Sequence, residues 1–296
     1  MNDPVNDDLI ECVQSSHNAA ESMLGSATRV DVWLLLEYSG RWAPKALEGW
    51  AEAESVKAPI HAFLERTPNA RFQFVRREST GTTRLVAVIT SGARAQSTSV
   101  TSYGDIDKAL LDGLAAGTAG EPVNASLFLV CTHGKRDRCC ARFGPAVYRA
   151  MAKIAPEQTW QTSHLGGHRF AATLVEPLSG AMYGRVTPED AAPIVKAHQA
   201  NQIALQWYRG STTLPPAAQA AEALLRASNG WLNQQPLTMV RCTKEPLDLF
   251  EVTLRDPEGA PATVRLKKTP GKLVRASCAK EKLTPKIDWQ LQPIPA

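Results

Sequence analysis

Apolar and polar positions in the first third of the chain predict one α/β module. Val30–Tyr38 is an apolar run of strand length that Ser39-Gly40 closes. After Pro44, apolar residues at helical spacing predict a helix that Pro59 breaks before His61–Glu65. Asp105 is the predicted cap of a closing helix that runs to about Leu114. The remaining predicted strands are Arg71–Arg76, Leu85–Thr90 and Ser97–Tyr103.

The middle third repeats this order. Ala125–Cys131 predicts a buried strand, and Pro145 marks the first position of a helix that Pro156 ends. Thr187 begins a last helix, with proline and acidic residues in its first turn. Three strands are predicted between these helices, at Trp160–Ser163, Phe170–Val175 and Ala181–Val186. Both thirds therefore have the order β-α-β-β-β-α, which indicates an internal duplication, although short α/β patterns also resemble one another by chance.

The last third has a different pattern. After a linker at Gly210–Thr213, Pro215-Pro216 opens an alanine-rich helix that ends at Asn229-Gly230. Leu237–Leu291 is strand-like, with predicted turns at Asp256–Gly259 and Pro270-Gly271. We divide the chain into an N-terminal extension (1–29), an α/β module without candidate ligands (30–118), a second α/β module (119–205) and a small helix-plus-β module (210–296).

Composition narrows the class of protein without naming a function. The chain has 296 residues, 44% of them hydrophobic, with a net charge of +4. This excludes a disordered or fibrous protein and gives no argument for nucleic-acid binding. The acidic start lacks a signal peptide, and no apolar run approaches the roughly 20 residues of a membrane helix. We therefore expect a soluble cytoplasmic protein whose six cysteines do not form a disulfide framework.

Two segments carry the candidate chemistry, and both follow predicted strands. The first is Cys131-Thr-His-Gly-Lys-Arg-Asp-Arg-Cys139-Cys140, and the second is His164-Leu-Gly-Gly-His168. The two glycines disfavour a helix and predict a tight loop, because glycine adopts positive φ readily. Loops at strand ends are where an α/β sheet presents functional residues.

The residue types leave three kinds of site open. Two cysteines and two histidines suit a structural zinc ion, although zinc cysteines are usually only two to four residues apart. A cysteine nucleophile paired with histidine is the second kind, with Cys131, Cys139 or Cys140 as the thiol. The third is an iron–sulfur cluster of Rieske ligand type, in which histidines replace two cysteines. The segment contains no Cys-x-x-Cys motif, so thioredoxin-type dithiol chemistry is disfavoured.

The combination of Cys131-x8-Cys140 with His164-x-Gly-Gly-His168 resembles the signature of the sucrase/ferredoxin-like family. The likeness is strongest over residues 125–200 and looser over 30–115. It implies an α/β fold with a thioredoxin-like ferredoxin domain at 119–205. The internal duplication indicated by the element order would make 30–118 a degenerate copy of this module, and the small C-terminal module follows it. The resemblance also implies one [2Fe–2S] cluster bound by Cys131, Cys140, His164 and His168, with the adjacent Cys139 as the alternative to Cys140.

This resemblance favours an electron carrier or redox sensor over a stand-alone enzyme, with proton-coupled electron transfer through the histidines. Lys135, Arg136 and Arg138 lie between the cysteines and are expected to be exposed beside the cluster. An exposed basic group of this kind would attract an acidic redox partner protein. Neither a nucleic acid nor a membrane is expected as a partner. A zinc-binding protein with the same four ligands and a thiol enzyme remain the alternatives.

Overall fold

The computed structural model describes residues 11–77 and 84–294 of the chain. They form a mixed sheet of ten strands and an antiparallel sheet of four strands, both packed with helices. The elements of the first third are α1 (Cys12–Asn18), β1 (Val32–Glu37), α2 (Glu54–Arg66), β2 (Ala70–Arg76), β3 (Arg84–Thr90), β4 (Arg94–Val100), α3 (Lys108–Ala116) and β5 (Glu121–Pro122).

The middle third completes the large sheet, and the last third forms the small one. The elements of the middle third are β6 (Phe128–Cys131), α4 (Arg138–Ile154), β7 (Thr159–Thr162), β8 (Leu174–Glu176), β9 (Ala181–Tyr183), α5 (Ala191–Gln199) and β10 (Tyr208–Ser211). Those of the last third are α6 (Pro216–Asn229), β11 (Thr238–Glu245), β12 (Leu249–Arg255), β13 (Pro261–Arg275) and β14 (Leu283–Gln292).

The large sheet consists of two halves with the same connectivity. Its strand order is β10-β9-β8-β6-β7-β2-β1-β3-β4-β5. In one half β1 pairs with β2 in parallel and with β3 antiparallel, and β3 pairs with β4 antiparallel. In the other half β6, β7, β8 and β9 repeat these pairings in the same order. The order β-α-β-β-β-α predicted for both halves is therefore confirmed, while their origin by duplication stays an interpretation.

The two halves meet at a short antiparallel pairing and share one core. β2 and β7 join through Val75 opposite Thr162 and Arg76 opposite Gln161. One apolar cluster crosses this junction and includes residues of β1, β3, β6 and β8. Cys131 and Cys140 belong to that cluster and are each 1% exposed. The two thiols are therefore enclosed by side chains from both halves of the sheet.

Three predicted helix starts are wrong, and two of them involve proline. Residues 41–53 form turns instead of a helix, yet Trp42, Leu47 and Trp50 are buried, so their apolar spacing serves a loop that folds onto the core. Helix α2 begins at Glu54 and contains Pro59. The carbonyl that loses its N–H partner there belongs to Ser55, which is exposed to water.

Helix α4 likewise begins at Arg138, seven positions before Pro145, because Asp137 caps it by accepting a hydrogen bond from the Cys139 N–H (3.0 Å). Helix α3 is capped by Asp107 and not by Asp105. Pro270-Gly271 is not a turn between strands, because β13 continues through it with a shift of register against β14. Helix α6, its left-handed Gly230 end and the turn after β12 agree with the prediction.

Helix α6 and the N-terminal helix α1 attach the small sheet to the large one. The alanine face of α6 packs with apolar residues of β12, β13 and β14. Helix α1 contacts β13 and the short helical turn His168–Phe170. No helix within residues 11–77 and 84–294 is long and apolar enough to cross a membrane, and the cytoplasmic location stays a prediction.

Candidate metal centre

The two candidate cysteines of the signature meet where strand β6 ends and helix α4 begins. Cys131 is the last residue of β6, and Cys140 is the third residue of α4. Consecutive helical residues point about 100° apart, so Cys139 and Cys140 face different surroundings. Cys140 lies in the core cluster of Cys131, whereas Cys139 packs with Cys12 and Ala171.

Gly144 allows the helix to approach the strand end. A Cβ atom at this position would lie 2.1 Å from the carbonyl oxygen of Cys131. Such a contact is impossible without moving the backbone of the strand or of the helix. The glycine therefore sets the spacing between Cys131 and the first turns of α4, and with it the distance between the thiols.

The histidine segment is a loop, as its two glycines predicted. Gly166 and Gly167 have φ angles of +99° and +72°, which disfavour any residue with a side chain. The Thr28 hydroxyl donates a hydrogen bond to the Leu165 carbonyl (2.9 Å) and fixes the loop from the N-terminal side. The loop then directs both imidazoles toward the end of β6.

Three of the four predicted ligands converge closely, and the fourth adjoins them. His164 Nδ1 lies 3.8 Å from Cys140 Sγ and 3.9 Å from Cys131 Sγ. These three donor atoms all lie within 4.8 Å of one another, a spacing that suits a metal ion. His168 Nδ1 is 3.4 Å from His164 Nε2. The four residues therefore form one continuous set of soft and borderline donors.

The Nε2 atom of His168 contacts two groups that the sequence did not indicate. Nε2 lies 2.7 Å from the Ala276 carbonyl oxygen, so it carries the proton and donates it. It also lies 3.5 Å from the buried Asp137 carboxylate. Because Nε2 carries the proton, Nδ1 is the unprotonated nitrogen, and it faces His164 Nε2. Burial lowers the pKa of His168, although Asp137 opposes this effect.

The two buried thiols shift each other's pKa in opposite directions. The hydrogen bond from Cys140 lowers the pKa of Cys131, and the His164 ring adds to this effect. The same contact raises the pKa of Cys140. A bound cation would supply the charge needed to ionise both thiols.

Arg71 and Trp42 of the first half and His133 of the second half support the histidine loop. Arg71 donates to the His164 carbonyl oxygen at 2.5 Å. The His164 N–H donates to His133 Nδ1 (3.2 Å), and the His133 ring meets Trp42 edge to face. The sequence analysis missed all three supporting residues, because each acts through a contact distant in the chain.

The basic residues expected at the surface are exposed there. Lys135, Arg136 and Arg138 are all exposed, on the segment that joins β6 to α4. A cleft of about 390 Å³ lies beside them, and Arg136, His133 and His164 contribute to its wall. Arg136 therefore places one positive charge at the wall of the cleft that His164 also lines.

Comparisons with known proteins identify the family that the chain resembles. The sequence pattern of the sucrase/ferredoxin-like family matches residues 23–210. The chain is 35% identical over 85 residues to altered inheritance of mitochondria protein 32 of Meyerozyma guilliermondii, covering 25% of this chain and 30% of the relative. It is 31% identical over 106 residues to the protein of that name from Eremothecium gossypii, covering 31% and 34%.

The chain thus aligns with about a third of the length of these curated relatives. No solved structure matches significantly. The family match spans most of the chain and contains all four residues of the candidate centre. The chain belongs to the sucrase/ferredoxin-like family.

Proposed function

We propose that the chain binds one [2Fe–2S] cluster through Cys131, Cys140, His164 and His168 and works in electron transfer or redox sensing. The observation that carries this proposal is the convergence of two buried thiols with an imidazole inside 4.8 Å, beside a second imidazole. When bound, such a cluster accepts and returns one electron, and two thiolates with two imidazoles are the Rieske ligand set.

The difference in exposure between the cysteines and His168 suits a role in electron transfer. Cys131 and Cys140 are enclosed by the core, whereas the His168 side chain is 16% exposed. Electrons would therefore enter and leave on the histidine side, where the distance to solvent is smallest. Burial of the two thiols also disfavours a thiol enzyme, since a nucleophilic cysteine must meet its substrate.

The exposed basic group supports an acidic protein partner. Lys135, Arg136 and Arg138 are exposed on the segment between the cysteines, and Arg136 lines the same cleft as His164. Positive charge at this position would speed encounter with an acidic surface and stabilise the more negative, reduced state. The proton on His168 Nε2, held by the Ala276 carbonyl, is the group through which electron transfer would couple to protonation.

A single zinc ion in the same ligands is the second candidate function. The observation that favours it is the short separation of His164 Nδ1 from both sulfurs, 3.8 and 3.9 Å, which suits ligands of one ion. A two-iron cluster would place thiolates and imidazoles on different irons, and the two loop glycines allow the histidine loop to adjust accordingly.

Anaerobic purification of the full chain, made with adequate iron, decides between the two. We expect about two irons and about two acid-labile sulfides per chain, with visible absorption that bleaches on reduction. A colourless protein with zinc and without sulfide would contradict the cluster and support the second candidate. Protein with neither metal after reconstitution would contradict both.

A further inference from the structure

A second group of metal-binding side chains lies beside the candidate centre and shares no donor atom with it. It consists of Cys12, Asp137, Cys139 and Cys278, and we call it the three-thiol cluster. Cys12 belongs to helix α1, Cys139 to the first turn of α4, and Cys278 to the loop between β13 and β14. Three segments far apart in the chain thus bring one thiol each to the same point.

The sulfur atoms form a nearly equilateral triangle. Cys12 Sγ lies 3.4 Å from Cys139 Sγ, Cys139 Sγ lies 3.3 Å from Cys278 Sγ, and Cys278 Sγ lies 3.5 Å from Cys12 Sγ. A disulfide would need about 2.05 Å between two sulfurs and would leave the third thiol unpaired. All three cysteines are free thiols. The triangle is therefore not explained by disulfide pairing.

The carboxylate of Asp137 is the fourth candidate ligand of this cluster. Its Oδ1 lies 3.7 Å from Cys12 Sγ, and the residue is only 4% exposed. The N–H groups of Cys139 and Cys278 and the Ser277 hydroxyl all donate to the carboxylate at 3.0 Å. A carboxylate buried next to three thiols needs compensation, and these donors also fix its orientation in the manner of groups that surround a metal ligand.

The geometry suits a tetrahedral ion. With zinc–sulfur bonds of about 2.3 Å, tetrahedral sulfurs lie about 3.8 Å apart, slightly farther than the observed 3.3–3.5 Å. A zinc–oxygen bond of about 2.0 Å places the oxygen about 3.5 Å from each sulfur, close to the observed 3.7 Å. A small outward movement of the thiols would therefore accommodate one ion among the four ligands.

We propose that Cys12, Cys139, Cys278 and Asp137 form a structural zinc site. Three thiolates and a carboxylate are ligands that zinc accepts, and four protein ligands leave no position open for a substrate. The ion would bind as the thiols lose their protons to solvent, and no oxidation or reduction is involved. The site would fasten α1 and the β13–β14 loop to the start of α4, directly behind the candidate cluster ligands.

This proposal does not depend on the proposed function. The two groups share no ligand residue, although Cys139 and Cys140 are neighbours in α4 and the Asp137 Oδ2 and His168 Nε2 atoms are 3.5 Å apart. Loss of zinc from the three-thiol cluster can therefore be measured separately from loss of iron at Cys131 and Cys140.

The test measures zinc per chain by mass spectrometry in the full protein and in three variants, Cys12→Ser, Cys278→Ser and Cys242→Ser. Cys242 lies in β11 outside both groups and is the matched control. We expect the first two variants to hold about one zinc fewer than the parent, and Cys242→Ser to match it. Equal zinc content in all four proteins would overturn the proposal.

A second measurement applies even if the serine variants fail to fold. Thiols of the zinc-loaded parent are titrated with a chromogenic disulfide before and after a chelator is added under reducing-agent-free conditions. We expect about three additional reactive thiols after the chelator if Cys131 and Cys140 hold an iron–sulfur cluster, and about five if they hold zinc, because the ion of the three-thiol cluster protects three. Replacement of zinc by cobalt should also give thiolate-to-cobalt charge-transfer absorption. Thiol reactivity that the chelator leaves unchanged, or cobalt binding without this absorption, would contradict the site.

Discussion

The two halves of the large sheet have the same strand pairings but different residues at the same structural position. Strand β1 ends at Glu37, whose carboxylate accepts a hydrogen bond from the Leu85 N–H (3.1 Å), and β6 ends at Cys131. Helix α2 begins without a side-chain cap, whereas α4 is capped by Asp137 and has two cysteines in its first turn. The same strand–helix junction thus occurs in both halves, and only the residue types at the junction make it a candidate metal site in the second half.

The half without candidate ligands still supports the candidate centre. Arg71 of β2 holds the carbonyl of His164, and Trp42, from the segment after β1, packs against His133. Apolar residues of β1 and β3 also enclose the thiols of Cys131 and Cys140, in the core cluster that both halves share. The first half therefore contributes supporting contacts to the candidate centre and no ligand.

The largest expected effect is loss of iron when the thiols of the second half are changed. Cys131→Ser or Cys140→Ser should abolish the cluster, because each removes one of four ligands. The matched control is Cys139→Ser, which changes the adjacent thiol that faces Cys12 and should retain the iron. Iron and sulfide analysis measures the outcome, and loss of iron in Cys139→Ser alone would show that the ligand assignment is off by one residue.

Thiols outside the shared core provide a further check on this ligand set. Cys12, Cys242 and Cys278 are predicted to be replaceable by serine without loss of the cluster. For Cys12 and Cys278 this holds even if zinc is lost from the three-thiol cluster. A variant of any of the three that no longer binds iron would refute the set.

The next effect concerns the reduction potential. The potential should lie above the about −400 mV of all-cysteine ferredoxins, toward the Rieske range of about −150 to +300 mV, because neutral imidazoles leave the cluster less negative. His164→Cys or His168→Cys should lower it by on the order of 100 mV. Redox titration of the parent and both variants measures the change, and indistinguishable potentials would show that these histidines do not bind iron.

The same titration at several pH values tests proton coupling. The oxidised cluster is the more positive state, so it lowers the pKa of the outer imidazole proton more than the reduced cluster does. Between the two pKa values reduction takes up a proton, and the potential falls as pH rises, by up to about 59 mV per pH unit. The cysteine variants should show a weaker slope, whereas a potential independent of pH in the parent would contradict the coupling.

The third effect concerns stability and depends on the close approach of Gly144 to the backbone of Cys131. Gly144→Ala should lower the free energy of unfolding by about 3 kcal/mol, because the new Cβ would lie 2.1 Å from the Cys131 carbonyl. The control in the first half is Gly104→Ala, whose Cβ would lie 3.4 Å from the Ser102 hydroxyl, with an expected change below about 0.5 kcal/mol. Denaturant unfolding measures both, and equal effects would show that the close approach at Gly144 relaxes freely.

The fourth effect is sensitivity to acid, which we assign to the second half. Burial lowers the pKa of His198 from 6.5 to about 4, and its Nε2 lies 2.7 Å from the Tyr183 hydroxyl. The folded state therefore prefers neutral His198. The stability it contributes is complete above about pH 6.5 and is lost as pH falls toward 4, by about 3 kcal/mol in total.

Replacing this histidine isolates its contribution. His198→Gln should show a smaller decrease of the free energy of unfolding between pH 6.5 and 4 than the parent, and His61→Gln in the first half is the control, since His61 is partly exposed. Denaturant unfolding at several pH values measures the difference. The same pH dependence in the parent and in His198→Gln would show that another group is responsible.

Local sequence determined the elements of both halves and the residue types of the candidate centre. The spacing of apolar residues and the length of apolar runs depend only on residues close together in the chain. The elements β1, β2, β3 and α6 were therefore predicted within a few positions. The positive φ angles of Gly166 and Gly167 likewise followed from the residue type. Helix starts near proline were wrong at α2 and α4, because capping and burial outweighed the local signal.

Only the tertiary structure decided which donors come together. Adjacent residues Cys139 and Cys140 look equivalent in the sequence, but the helical turn directs one toward Cys12 and the other toward Cys131. Cys12 and Cys278 join Cys139 across 127 and 139 positions of the chain. No local pattern encodes such contacts, because they arise from packing of α1 and the β13–β14 loop on the start of α4, and a metal site is a property of that packing.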